Sequence, residues 1–390
     1  MNQNLNPNFI KDLKNIFLKL YYYYHFDFYK IYKILENQNL IYYPFDLKKI
    51  YETLKEVYNQ IELKNNKENT YELKKIKSKV KFFWEDDFLD YLILNDYPVG
   101  ILFYEGNYEL LKKNYKKIAI VGSRKPENKT IKFINSFFEK YSDLLKNFVI
   151  VSGLAVGIDS LVHKYSIDNN INTIAVLGNG IFYYYPSVNK ELQIKISKKG
   201  LLLSEYPDNI SPKKYYFPYR NRIISLISDI VIVFQASEKS GSIITGKYAL
   251  EFGKELIVPF LDFNYSFEGS KNLINSGGKL VSSIDDLAQN IIKSIDYNLN
   301  YNLNNFKENT NNNELFNLDG DKNRDIKNQN LEDLILSILN EHEELSIDEI
   351  DQKLKEKNQI LDITYLVSIL TKLEILGKIE SKYGSIYKIT

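Results

Sequence analysis

The residues best equipped for chemistry sit in one stretch, FPYRNRIISLISDIVIVFQASEKSGSIITGKYALEFG, from Phe217 to Gly253. Arg220, Asn221 and Arg222 place two guanidinium forks and an amide on one turn of a predicted helix, and such forks grip phosphates and carboxylates. The run IVIVF at 230–234 is β-branched and uncharged, as a buried strand should be. Ser240, Gly241 and Ser242 then make a small turn ahead of a helical pattern carrying Ile244, Tyr248 and Leu250. A strand that delivers such a turn to a helix start collects backbone N–H groups that attract an anion. Taken alone, Gly241 would be explained by a tight turn and the two arginines by a solvated helix face. The construction gains weight because it recurs three times upstream.

Those recurrences define the elements that must position the chemistry. Strands are predicted at 117–121, 148–151, 173–177, 201–205, 230–234, 255–260 and near 279–281. Helices are predicted between them, at 130–146, 158–168 and 188–199. Alternating strands and helices, with the strands continuously apolar, imply an α/β fold whose parallel sheet is covered on both faces. Ligands of such sheets bind outside the carboxyl ends of the strands. The turns at those ends read GSRKPENKT, SGLAVGID, GNGIFYYYP and ASEKSGS, so Gly122, Gly153, Gly178 and Gly241 converge on one crevice.

Several function classes are excluded by what the sequence lacks. No GxGxxG follows the first strand, no acidic residue closes the second to hold a ribose, and no GxxxxGK[ST] occurs. Cysteine is absent, and His25, His163 and His342 are too scattered for a metal site or a triad. No cofactor, no metal and no catalytic residue is therefore expected. Asp159 and His163 lie four apart, on one helical face. Catalysis is one reading of this pair, but the expected role is structural, a carboxylate bracing a turn with a neutral histidine bonded to it.

A chain of 390 residues exceeds one ordinary domain. Residues 1–114 form a predicted helical unit with helical periodicity through Ile10, Leu13, Phe17 and Leu20, and with Tyr21–Tyr24 read as half-buried helix surface. Residues 115–297 form the sheet unit, 298–330 an Asn-rich disordered linker, and 331–390 three helical patterns followed by a hairpin around Gly384, a winged helix. Overall charge is +1, but the sheet unit carries 23 Lys/Arg against 17 Asp/Glu and the winged unit 7 against 12. The sheet unit has the sign of a polyanion binder; the winged unit suits protein contact. The polar start and the lack of a long apolar run point to a cytoplasmic protein with no membrane association.

The motifs IAIVGSR (118–124), VSGLAVGID (151–159), TIAVLGNGI (173–181), GLLLSEYP (200–207), FPYRNRIIS (217–225) and SGSIITGKYALEFGKEL (240–256) resemble the DNA-processing protein A (DprA/Smf) family across the whole sheet unit. The resemblance implies a Rossmann-like core flanked by an N-terminal helical, SAM-like domain and a C-terminal winged helix. It implies a protein that is no enzyme: it binds single-stranded DNA, forms a homodimer, and loads RecA recombinase in natural transformation. Carried over residue by residue, Ser123 and Arg124 hold a phosphate, Lys214 meets another, and Phe217 stacks on a base. Lys239, Ser240, Gly241 and Ser242 line the same groove with Gly122 and Gly153. Arg220, Asn221 and Arg222 join the DNA-binding set, with an internal bracing role as the alternative for the two arginines. Asp159, His163 and Gly178 are structural neighbours of the site.

The chain departs from the family pattern at Val156, where an arginine is usual, at Gln235 in place of glutamate, at Phe260, and at Gly269-Ser270-Lys271-Asn272, where Lys271 adds back a charge. Two other readings compete with DNA binding. One is a nucleotide-hydrolysing enzyme on a related fold, such as a nucleoside-monophosphate phosphoribohydrolase, whose PGGxGTxxE run is replaced here by SGSIITGKYALE. The other is a regulator that senses a nucleotide in the crevice.

Overall fold

Leu13, Phe17 and Leu20 recur at helical spacing and bury completely along one stripe of α1 (Pro7–Tyr23), in a computed structural model of the chain. The described residues are 6–64, 76–112, 114–262, 264–295, 334–342, 345–357, 366, 370, 373, 379–382 and 386–389. Asn6 caps α1 by accepting from the Asn8 N–H, and Pro7 opens its first turn. The first helix ends at Tyr23. His25 and Phe26 take φ values of 57° and 68°, which turn the chain, and Asp27 caps α2 (Phe28–Glu36). The third helix, α3 (Leu47–Lys64), packs against α1.

Two antiparallel strands follow, β1 (Lys79–Phe82) and β2 (Ile101–Gly106). The alternation then runs β3 (Lys116–Gly122), α4 (Asn128–Lys140), α5 (Ser142–Leu145), β4 (Phe148–Ser152), α6 (Ile158–Asp168), β5 (Asn172–Leu177), α7 (Lys190–Lys199) and β6 (Leu201–Ser204). It continues with α8 (Tyr216–Leu226), β7 (Ile230–Phe234), α9 (Ser242–Glu251), β8 (Glu255–Pro259), α10 (Glu268–Asn275), β9 (Lys279–Val281) and α11 (Ile284–Ile295). The single helix predicted over 130–146 is interrupted at Tyr141, whose φ of −113° separates α4 from α5.

Among the described residues these strands form one sheet in the order β1-β2-β6-β5-β4-β3-β7-β8-β9. The seven strands from β6 to β9 pair in parallel; β1 and β2 run antiparallel at one edge. The expected Rossmann-like, mostly parallel sheet is therefore present. β3 lies between β4 and β7, with Ile118 opposite both Ile150 and Ile230. The chain leaves β3 toward β4, β5 and β6 on one side and returns to β7 on the other. In sheets of this kind such a reversal marks the edge, at the carboxyl ends of the strands, where ligands bind.

The boundary expected at residue 114 is not a break in the packing. β2 pairs with β6, with Phe103 opposite Ser204, so a segment before residue 114 completes the sheet. One hydrophobic cluster runs from Leu13 through Phe82 and Phe103 to Leu273. The pairing covers an edge of β6 that would otherwise present unpaired backbone groups.

The molecule divides into two compact units, Met1–Asn300 and Tyr301–Thr390. In the second, residues 334–340 are helical, and β10 (Leu345–Ser346), β11 (Ile379–Lys382) and β12 (Ile386–Ile389) form an antiparallel sheet in the order β10-β12-β11. Helix α12 (Ile347–Glu356) begins with a capping box. Ser346 Oγ accepts from the Glu349 N–H at 3.3 Å, and Glu349 Oε2 accepts from the Ser346 N–H at 2.7 Å. Ile335, Ile338, Leu345, Ile350 and Leu354 supply its core. The linker expected at 298–330, Gly384 and most of residues 358–378, where the last of the three helical patterns falls, lie outside the described residues.

Candidate nucleic-acid interface

β3 ends at Gly122, and the chain turns through Ser123 and Arg124. Ser123 Oγ accepts from the Lys125 N–H at 3.1 Å, while its carbonyl accepts from Ile158 N–H at 3.1 Å and so ties the turn to the start of α6. Arg124 is left exposed, with no ion pair among the described residues; the same holds for Lys214 and Lys239. Arg124, Gly153, Gly178, Tyr185 and Phe217 border a cleft of about 50 Å³, with Val156 at its mouth.

One wall of the cleft is aromatic. The half-buried Phe217 ring lies 5.5 Å from that of Tyr185, tilted by 39°, and Tyr185 is 44% exposed. Both sit at the carboxyl end of β5, where Gly178 lets Phe217 approach the bare backbone. A Cβ at residue 178 would stand 2.8 Å from Phe217 Cδ1. In the segment just before Phe217, Tyr215 is 60% exposed, with Lys213 Nζ 5.8 Å from its ring centroid. The sequence reading missed Tyr185, although an aromatic residue just before Pro186 in the third glycine turn was the available signal.

Beneath the cleft lies a layer of buried charge, and it favours the bracing alternative for the two arginines over DNA contact. Arg220, Asn221 and Arg222 had been placed among the DNA-binding residues, but the structure buries all three. Arg220 Nη1 donates to the Gly153 carbonyl at 2.8 Å and to the Val176 carbonyl, and its Nε donates to Asn221 Oδ1 at 3.1 Å. Burial lowers the Arg220 pKa to about 10, against the opposing pull of Asp159, so the group stays charged at neutral pH. Asn221 Nδ2 donates to the Gly241 carbonyl at 3.1 Å. Arg222 is wholly buried, and its Nη2 reaches both oxygens of Glu205 at 2.7 and 2.8 Å while the guanidinium lies 4.0 Å over the Tyr219 ring. Burial works against the charge on Arg222, but Glu205 more than compensates and holds its pKa above the usual arginine value. This triplet therefore braces the crevice: Arg220 joins the ends of β4 and β5, Asn221 holds the turn before α9, and Arg222 neutralises Glu205 after β6.

The Asp159–His163 pairing is likewise corrected. His163 Nδ1 lies 2.7 Å from Thr173 Oγ1, which donates its own proton to the Ile150 carbonyl at 2.8 Å. The hydroxyl can then only accept from the histidine, so His163 carries its proton on Nδ1. Burial drives the His163 pKa down to about 3. Asp159 instead accepts from the Ala155 N–H at 3.4 Å and stands over Gly153, where a Cβ would meet Arg220 Nη2 at 2.6 Å and Asp159 Oδ2 at 2.8 Å. Burial raises the Asp159 carboxyl, and Arg220 pulls it back.

The fourth turn is placed beside the cleft, outside its lining. Ser240 Oγ and Ser242 Oγ are 2.7 Å apart, and Ser242 is buried. Gly241 has an ordinary φ of −62°, and a Cβ there would meet nothing within 4 Å. Gln235 serves the backbone, its Oε1 accepting from the Glu127 N–H at 2.8 Å. Lys271 lies 3.6 Å from Glu268, so the charge it adds is shared within α10.

The family model described as DNA recombination-mediator protein A matches residues 79–292. The DNA processing protein DprA of Bacillus subtilis is 40% identical over 217 residues, 55% of this chain and 70% of the relative. The Streptococcus pneumoniae DNA processing protein DprA is 43% identical over 194 residues, 49% of this chain and 66% of the relative. The X-ray structure of DprA from Streptococcus pneumoniae superposes with a TM-score of 0.55 at 31% identity, covering 73% of this chain and 98% of that one. The family match begins at the first residue of β1 and ends within α11, so it takes in the entire sheet and its crevice, and by it the chain belongs to the DNA recombination-mediator protein A family.

Proposed function

We propose that this protein binds single-stranded DNA across the crevice with little base preference and delivers it to a recombinase of the RecA type during DNA processing in transformation. The observation that carries the reading is the juxtaposition of an exposed guanidinium, Arg124, with the Tyr185–Phe217 ring pair at the mouth of one cleft. A cation beside an aromatic face suits an unpaired strand: the cation takes a phosphate and the ring takes any base. A duplex keeps its bases stacked inside and offers nothing to the ring. Ser123, Arg124, Lys214, Phe217 and Tyr185 are the proposed contacts, with Lys239, Ser240 and Gly241 along the adjacent turn.

The cleft argues against the nucleotide-hydrolysing alternative. At about 50 Å³ it has room for a few water molecules, far less than an enclosed nucleotide needs. A strand lying across its mouth meets no such limit. Val156 is exposed at that mouth, where an arginine would face the strand, so this chain is expected to bind more weakly than relatives carrying the cation. Self-association through the sheet unit, and a protein-contact role for an acidic winged helix in the second unit, complete the proposal.

A gel shift comparing single-stranded with duplex DNA at two salt concentrations tests it. Single strands should bind better, with a log–log salt slope of about −0.7 per phosphate neutralised. Equal affinity for the two forms would refute the reading, and turnover of a free nucleotide would restore the enzyme alternative.

A further inference from the structure

The turn between α1 and α2 carries an aromatic surface that the crevice does not use. Tyr22, Tyr23 and Tyr29 are each about two-fifths exposed, at 41%, 38% and 42%. Two exposed lysines stand among these rings. Lys30 Nζ is 5.6 Å from the Tyr24 centroid, and Lys33 Nζ is 5.3 Å from that of Tyr29 and 5.7 Å from that of Tyr32. Lys33 also pairs with Glu36 at 2.6 Å, whereas Lys30 carries no ion pair among the described residues.

This surface is joined by an unbroken chain of rings to Tyr215, two residues before Phe217. Tyr22 contacts Phe26 at 5.6 Å, Phe26 contacts Tyr206 at 5.9 Å, Tyr206 stacks on Tyr216 at 4.0 Å, and Tyr216 meets the exposed Tyr215 at 4.7 Å. Tyr21 fixes the same junction by donating its hydroxyl proton to the Glu205 carbonyl at 3.0 Å. The turn is thus packed through Tyr206 onto Tyr216, the residue before Phe217, and Tyr22 lies four ring contacts from the exposed Tyr215.

We propose that the tyrosine and lysine face around the α1–α2 turn is a second stacking platform, which receives single-stranded nucleic acid after it leaves the crevice. The inference rests on the crevice reading above and extends it. Half-exposed rings interleaved with lysines provide sequence-independent stacking and phosphate neutralisation together. The platform therefore lengthens the footprint without adding base preference.

The test uses the full chain with fluorescein-labelled oligothymidylates of about six and about twenty nucleotides, lengths that bracket one binding groove. The wild type should bind the longer strand more tightly per site. Tyr22→Ala/Tyr23→Ala/Tyr29→Ala should lose about tenfold or more on the longer strand and nothing on the shorter. Lys30→Gln, which leaves every ring in place and so guards against a misfolded triple variant, should flatten the salt slope on the longer strand by about 0.7. A 5-iodouracil placed toward the end of the longer strand should photo-crosslink to Tyr22, Tyr23 or Tyr29. Equal losses on both lengths, no loss on either, or crosslinks confined to Tyr185, Tyr215 and Phe217 would overturn the platform. If the wild type binds neither strand, the crevice reading falls first and the platform with it.

Discussion

Replacing Gly178 by alanine tests the aromatic wall without touching a charge. The added methyl would stand 2.8 Å from Phe217 Cδ1 and 3.1 Å from Cε1, where ordinary contact begins near 3.4 Å. The ring must therefore retreat by about half an ångström or swing off the glycine. Because Phe217 is only half-buried, it has room to do so, and the cost to stability should stay near the low end for overpacking, about 1 kcal/mol. Binding should suffer more. A displaced ring loses its register with Tyr185, and base stacking on an aromatic face is worth about 1–3 kcal/mol, or roughly five- to a hundredfold in Kd. The log–log salt slope should not move, since no phosphate contact is lost. Fluorescence anisotropy with a labelled single strand gives Kd and slope, and a thermal melt on the same sample reports folding. A double-mutant cycle with Phe217→Ala sharpens the result: once the ring is gone, the methyl has nothing to strike and should be almost silent. A folded Gly178→Ala protein with full affinity, or losses that simply add in the double mutant, would refute the proposed wall.

Arg124→Ala should weaken single-strand binding and flatten the salt slope by about 0.7, one phosphate's worth, and an unchanged slope would remove Arg124 from the phosphate role. Arg222→Met leaves the buried Glu205 carboxyl without its cation, which should cost about 3–5 kcal/mol in denaturant unfolding at neutral pH. That deficit should shrink in acid, because the unpaired carboxyl has its pKa raised in the folded state and is accommodated once protonated. His163 has the opposite sign of coupling. Its folded pKa of about 3 lies below the unfolded value of about 6.5, so stability is fully present above pH 6.5 and falls as pH drops toward 3. The slope there should approach 1.4 kcal/mol per pH unit from this one group, and His163→Leu should remove it from the pH–stability profile.

Much of the fold was legible in the sequence because its signals are local. β-branched runs such as 230–234 can satisfy their composition only as buried strands, and their alternation with helical patterns specifies a parallel sheet with its ligand edge at the carboxyl ends. Residues 118–124 and 217–225 placed Arg124 and Phe217 at that edge, and the structure sets them on one cleft. Tertiary packing decided what those patterns leave open. RNR at 220–222 looks the same whether it faces solvent or a carboxylate, and only the position of Glu205, which follows another strand, turned Arg222 inward. His163 chose Thr173 over Asp159 because β5, not its own helix, supplied the nearer oxygen. β1 and β2 joined the sheet although they precede the expected boundary, since an unpaired edge on β6 is a demand that no local pattern displays. Residue type and spacing state what a side chain can do; which partner it finds depends on contacts between residues far apart in the chain, and those are fixed only when the core closes.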